Sequence, residues 1–342
     1  MISDSIAMIG CGAIGSSVFA DLTRQGYGVC AFDQWPAHVE AMKSVGLRIM
    51  MPDDDFTTPV RAHHLCELAS LQRQFDIVLL AVKSGDTKWM TQLVTPYLKP
   101  DGMIVGLQNG MNDEAIHAIA GIGRTVGCVV ELSAEVFTPG LVQRYTTRKG
   151  TWFGLGELHG RATPRLKKVE ELLAHTARVS LTNNIAGAKW TKLVTNSMTQ
   201  GPIGMLGMKS GSGSEIPGMF EISIGAGRET IAVGNKLGYV VEPVFGLTAD
   251  EFAGSTDEVL KTILTTILSH LGPKSRNAVV QDHQKGRLTE IEWLNGIVAR
   301  HGRAVGVPTP YNDAICEITR QITSGKLKPE PSNVARLQSL LA

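Results

Sequence analysis

"SIAMIGCGAIGSSVFADLTRQGYGVCAFD", residues 5–33, decides the fold of this chain. The apolar run SIAMIG reads as a strand, GSSVFADLTRQG as a helix closed by Gly26, and GVCAFD as a second strand ending in Asp33. Between the first strand and the helix, Gly10, Gly12 and Gly15 stand in GxGxxG spacing. The first glycine permits a tight turn, the second lets backbone approach a pyrophosphate, and the third lets helix pack on strand. An anionic group then meets unpaired N–H groups and the positive end of the helix dipole. Gly10, Cys11, Gly12, Ala13, Ile14 and Gly15 are therefore the expected cofactor loop. Three glycines alone make only a turn. Here strand, loop, helix and second strand stand in the order a dinucleotide needs.

Asp33 lies 18 residues beyond Gly15, near the ~20 expected for the acid that bonds a ribose 2′-hydroxyl. A carboxylate there repels a 2′-phosphate, and Gln34 rather than an arginine follows it. The reading favours NAD(H), with NADP(H) as the alternative. Pro36 at a first helical turn keeps a second role for Asp33 open, that of a helix cap.

Outward from this unit, PAHVEAMKSVG is an amphipathic helix and LRIMMPDDDFTTPVRA alternates in period two around an acidic turn, as a hairpin does. FDIVLLAVKS and DGMIVGLQNG are continuous apolar runs, the pattern of strands buried on both faces of a parallel sheet. TVGCVVELSAEVF, GLVQRYTT and GTWFGLGE read as antiparallel strands turning at Thr138-Pro139-Gly140; a helix at PRLKKVEELLAHT and a strand at RVSLT follow. The expectation is a doubly wound α/β Rossmann domain over residues 1–183, then an all-α domain over 184–342 for substrate and dimerisation. Within the second, GMKSGSGSEIPG (207–218) has the composition of a flexible connection, with a lid as the other reading.

Composition narrows the partners. Among 342 residues, 33 Lys and Arg against 32 Asp and Glu leave a formal charge of +1, so no basic surplus draws nucleic acid or an anionic membrane. Five scattered cysteines without a CxxC pair, and nine histidines without metal spacing, point to a reducing cytosol and no metal site. The start, MISDSIAMIG, has no basic n-region, and runs such as IVLLAV fall far short of the ~20 apolar residues of a membrane span. A cytoplasmic enzyme acting on a small molecule is the expectation.

In AKWTKLVTNSMTQ (188–200), Lys192, Asn196 and Gln200 recur every fourth residue and share one helix face, with Trp190, Leu193, Val194 and Met198 as an apolar flank. The row is either a solvated face or a set of donors looking into a cleft. Further on, Thr289 and Glu292 of TEIEWLNG fit a capping box, which puts Glu290 on the first helical residue. An acid there also has a plainer meaning, as a complement to the helix dipole.

IGCGAIG, VKSGDT, LQNGMN, KWTKLVTN and TEIEWLNG…GVPTP occur in this order, and from about residue 5 to about 313 the chain resembles the ketopantoate reductase (2-dehydropantoate 2-reductase) family. The resemblance implies a Rossmann domain plus a helical domain of the 6-phosphogluconate dehydrogenase-like type. It implies reduction of a 2-keto acid to a 2-hydroxy acid, with Lys192 as the general acid. Asn196 would bind substrate, Glu290 would order substrate and lysine, and Lys83 and Asn109 would lie beside nicotinamide and substrate. Lys189, three residues back, is the neighbouring decoy, with a solvent-exposed position open to it. A homodimer is expected.

The pattern breaks at three contact positions. The family's second asparagine is Gln200 here, its carboxylate-binding serine is Ala278, preceded by Asn277, and its base after the second strand is Asp33. Alanine has no hydroxyl to donate. Gln200 and Asn277 stay as substrate-binding candidates, and an NAD-dependent dehydrogenase oxidising another hydroxy acid stands as the alternative. Two other readings are a catalytically silent dinucleotide-binding protein and a hydroxyacid dehydrogenase whose anion cluster would be Arg276, Lys285 and Arg287.

Overall fold

The computed structural model describes residues 5–242, 255–271 and 275–342; the first four residues of the N-terminal stretch lie outside it. The chain divides into two compact units, Met1–Ile185 and Ala186–Ala342.

Strands and helices alternate in the first unit. In order they are β1 (Ile6–Ile9), α1 (Ala13–Arg24), β2 (Val29–Asp33), α2 (Pro36–Val45), β3 (Leu47–Met51), β4 (Asp54–Thr58) and β5 (Arg61–His64). Then come β6 (Phe75–Leu80), α3 (Thr87–Val94), β7 (Leu98–Gly106), α4 (Asp113–Ala120), β8 (Thr125–Glu131), β9 (Ala134–Thr138), β10 (Leu141–Arg144), β11 (Trp152–Glu157), α5 (Pro164–Leu173) and β12 (Arg178–Leu181). Eight strands form one sheet in the order β12-β11-β8-β7-β6-β1-β2-β5. Every pairing in it is parallel except β11 with β8. β1, β2 and β8 are buried along their whole length, as expected of strands covered on both faces by helices.

The hairpin β3–β4 does form, with Leu47 opposite Thr58. It is not isolated. β9 and β10 leave the main sheet and complete a second one, β4-β3-β10-β9, in which β10 runs parallel to β3. A buried ion pair ties this addition to α1: Arg144 and Asp21 meet at 2.9 Å with almost no exposure, and Arg148 reaches the other Asp21 oxygen at 2.6 Å.

The second unit is helical: α6 (Ile185–Gly204), α7 (Ser210–Ser214), α8 (Met219–Leu237), α9 (Thr256–Leu271), α10 (Ala278–Gln284), α11 (Asn295–Val305), α12 (Pro310–Thr323) and α13 (Asn333–Leu341). α6 lies at its centre. Trp190, Leu193, Val194 and Met198 are fully buried, and Trp190 stacks on Tyr239 with ring centroids 4.7 Å apart. α8 comes so near that a Cβ on Gly234 would lie 2.0 Å from the Trp190 indole nitrogen. Only glycine permits that approach.

Two local expectations are corrected here. The Gly/Ser-rich 207–218 segment carries α7, with Ser210 and Gly213 buried, because Gly213 lacks the Cβ that would press on Ile203. No capping box forms at Thr289: residues 291–293 make a single 3-10 turn, Glu290 stands at its N-cap, and the α-helix begins only at Asn295. Glu292 turns instead to Arg320, which donates to both of its oxygens at 2.7 and 3.0 Å. A bidentate guanidinium pair outcompetes one backbone N–H for that carboxylate.

Candidate active site

β1 is the strand at which the order of the main sheet reverses, since the chain continues to β2 on one side and to β6 on the other. Open α/β sheets bind ligands at such a switch point, outside the carboxyl ends of the strands. The loops at those ends carry the residues singled out above.

Gly10 has φ +89°, and a Cβ there would lie 2.8 Å from a Val82 methyl and 2.9 Å from the Ala81 carbonyl. Gly15 packs even closer, since its Cβ would lie 2.0 Å from the Gly10 carbonyl oxygen. Gly12 differs: a Cβ there would meet nothing within 4 Å. Gly12 is also the N-cap of α1, which has no side-chain cap. Two glycines thus pull the turn tight, and the third keeps its outer side clear over the helix N-terminus. This shape fits a phosphate bound through backbone N–H groups.

Asp33 is buried, and its oxygens accept from the backbone N–H groups of Cys11 at 2.5 Å and Trp35 at 2.7 Å. It does not cap α2, whose N-cap is Trp35 without a side-chain bond. The carboxylate therefore braces the glycine loop directly. Each of its oxygens retains a lone pair for a ribose hydroxyl. Burial, and then the Asp33 charge, push the Cys11 thiol well above its ordinary range, so it is no nucleophile.

Two amides that sequence reasoning passed over hold the neighbouring loops together. Gln108 donates to the Val82 carbonyl at 2.9 Å and to the Thr87 hydroxyl at 2.8 Å. Asn112 donates to the Ser84 hydroxyl at 3.0 Å and the Asn109 carbonyl at 2.7 Å. The segments bearing Lys83 and Asn109 are thereby stitched side by side. Both amides stand inside LQNGMN, so the signal was present without a role attached to it.

In the helical unit, Lys192, Asn196 and Gln200 follow one face of α6. Lys192 is 8% exposed and Asn196 2%, with Gln200 half-buried, so the row is no fully solvated surface; Glu290, on its own turn, is 6% exposed. Lys189, the decoy, is not solvent-exposed but buried as well, at 4%. Asn277 caps α10: its carbonyl oxygen accepts from Val280 N–H at 2.9 Å, and its amide donates to the carbonyls of Thr199 and Gln200. Both ends of the side chain are thus held by backbone. Gln200 Oε1 accepts from the Ala278 N–H at 3.0 Å. Near Gly201 the packing is close, with Ile291 2.9 Å and Asn295 2.7 Å from where a Cβ would sit. The end of α6, the start of α10 and the 290–295 turn thus converge.

Among the described residues, no helix is long and apolar enough to cross a membrane, and no cluster of three metal-ligating side chains occurs.

The model of Ketopantoate reductase PanE/ApbA matches residues 6–157, and that of its C-terminal part matches residues 184–323. The chain belongs to the ketopantoate reductase family. It is a nicotinamide-dependent oxidoreductase acting on CH–OH groups, of the 2-dehydropantoate 2-reductase type. It is 27% identical to a 2-dehydropantoate 2-reductase of Mesorhizobium japonicum, over 93% of this chain and 97% of that one. It is 26% identical to the enzyme of that name in Archaeoglobus fulgidus, covering 94% and 98%. Among solved ketopantoate reductase family structures, that from Ralstonia eutropha JMP134 superposes with a TM-score of 0.79 at 24% identity, covering 94% and 99%. D-mandelate dehydrogenase in a ternary structure with NADH and anilino(oxo)acetate superposes at 0.82 with 21% identity, again covering 94% and 99%.

Proposed function

We propose that this ketopantoate reductase family member uses NADH to reduce a small 2-keto acid, ketopantoate-like in size, to the 2-hydroxy acid, with Lys192 as the general acid. The observation that carries this reading is the burial of an ammonium and an amide one turn apart on α6. Burial takes both groups out of bulk water, where an ammonium acts more strongly on charge that develops nearby. A bound nicotinamide supplies hydride to the keto carbon. As negative charge develops on the keto oxygen, Lys192 stabilises it and delivers the proton through Nζ. Asn196 holds the substrate by its amide, and Glu290, at the N-cap of its turn, orients the lysine and substrate. Lys83 and Asn109 belong to the cofactor side of the same proposal.

NADH is preferred over NADPH because a carboxylate at the end of β2, beside the glycine loop, repels a 2′-phosphate. The same observation favours a second reading, oxidation of a hydroxy acid with NAD. D-mandelate dehydrogenase, which shares the fold, was solved with NADH. A cytoplasmic homodimer, with a small acid as its partner, is part of the proposal; exposed Phe220 and Leu340 on the helical unit support association.

The test is a screen of NADH against NADPH over a panel of 2-keto acids and the matching hydroxy acids, followed at the nicotinamide absorbance. Turnover with NADH is expected, strongest for an acid other than ketopantoate. Much faster reduction of ketopantoate with NADPH than with any other pair would overturn both the cofactor and the substrate assignment.

A further inference from the structure

His38, near the start of α2, is fully buried, and both of its ring nitrogens meet partners brought from elsewhere in the first unit. The Gly140 N–H, in the turn between β9 and β10, donates to Nδ1 at 2.9 Å. Nε2 lies 3.2 Å from the Ser16 hydroxyl on α1. That hydroxyl gives its one proton to the Cys11 carbonyl at 2.7 Å, so it must accept from the ring. Both ends therefore require the same tautomer, with the proton on Nε2 and the lone pair on Nδ1. Trp35 stacks on the ring with centroids 5.3 Å apart and holds its face. A line of hydrogen bonds thus runs from the second sheet to the glycine loop.

We propose that Ser16 and His38 are positioning residues that aim the Gly12 N–H at the pyrophosphate of the dinucleotide. The inference rests on the dinucleotide reading of the glycine loop. A trans peptide sets its carbonyl and its N–H on opposite sides, and the peptides of the described residues are all trans. The Cys11 carbonyl and the Gly12 N–H belong to one such peptide. Drawing the carbonyl inward onto Ser16 therefore turns the N–H outward. Gly12 is exposed there, with nothing within 4 Å of where a Cβ would stand. The preceding peptide is fixed separately, by the Cys11 N–H on Asp33. Both Ser16 and His38 are fully buried, so they act through the loop and not by contact with the cofactor. Their contribution is preorganisation: the donor is turned before the anion arrives.

Calorimetric titration of the whole enzyme with NADH tests this, with thermal unfolding as the check on each variant's fold. Ser16→Ala should weaken binding about tenfold or more, and His38→Phe about threefold or more. His38→Gln, whose amide can donate from near the place of Nε2, should stay within about twofold of the original. Ser16→Ala and His38→Phe together should do no more harm than Ser16→Ala alone, because both act on one carbonyl, whereas two independent packing defects would add. NMR of the histidine ring nitrogens should place the His38 proton on Nε2. Should Ser16→Ala fail to fold, the contrast between His38→Gln and His38→Phe carries the same test. Folded Ser16→Ala that binds NADH within about twofold of the original overturns the proposal. So do losses that add in the pair, equal losses for His38→Gln and His38→Phe, or a proton found on Nδ1. An unaltered protein that binds neither NADH nor NADPH overturns the dinucleotide reading and this inference with it; the other outcomes touch this inference alone.

Discussion

Gln200 and Ala278 are joined by a hydrogen bond of 3.0 Å, the side-chain carbonyl of the first accepting the backbone N–H of the second. Both are positions where the sequence is expected to depart from the family pattern, and in the structure the two meet directly. The longer glutamine spans to the first turn of α10, a place where a serine hydroxyl would otherwise project. Gln200→Asn shortens the reach by one methylene and releases that N–H, at a stability cost of about 1 kcal/mol. Combined with Ala278→Ser, it should shift the kcat/KM ratio toward ketopantoate by roughly tenfold or more. A ratio unmoved in the double variant would remove these two residues from substrate selection.

Lys192→Ala should lower kcat by about 10²–10⁴, the range of a lost general acid. Lys189 is the control. It is equally buried, so Lys189→Ala is expected to lower the melting temperature while sparing most of kcat in the folded fraction. Steady-state kinetics on both variants, normalised to folded protein, decides. Inactivation by the Lys189 change alone would hand the proton to the neighbouring lysine and end the assignment.

Asp33→Asn retains an acceptor for the Cys11 N–H but removes the charge. Losing hydrogen bonds from ribose hydroxyls to a carboxylate should raise the KM for NADH roughly tenfold or more, and the preference over NADPH should narrow with it. Measuring both coenzymes at one substrate concentration gives the ratio. An unchanged ratio would show that Asp33 serves the glycine loop alone.

Glu157 predicts a pH dependence. Burial raises its carboxyl pKa, but hydrogen bonds from Arg165 and Thr163 outweigh this and hold it below the ordinary 4.5. The folded value therefore lies under the unfolded one. The stabilisation is present above the ordinary value and is lost as pH falls through the depressed folded one. Melting temperatures between pH 7 and pH 3 should show a steep acid fall that Glu157→Gln flattens. Arg165→Ala, which leaves a fully buried carboxylate without its guanidinium, should cost about 3 kcal/mol at neutral pH.

What the sequence disclosed was local. The glycine loop and Asp33 were legible because their spacing encodes one strand, one turn and one helix, and the apolar flank of α6 because periodicity marks a buried stripe. The partners of Glu292 and Asn277 were not legible. Arg320 lies 28 residues beyond Glu292, and the carbonyls that hold Asn277 come 77 and 78 residues before it. Glycines in 207–218 looked like slack because composition does not distinguish a missing Cβ that flexes from one that packs. The contact of Gln34 with Asp86 was hidden by distance along the chain, since the two stand 52 residues apart.

The parallel pairing of β3 with β10 governs how the protein emerges during synthesis. Leu141 stands beside Arg48, so the early strand leaves one edge uncovered until about 90 further residues have been made. At ribosomal speeds that interval is on the order of ten seconds. For that time a nascent chain displays unpaired backbone groups along an apolar strand, the kind of edge that chaperones occupy and other chains invade.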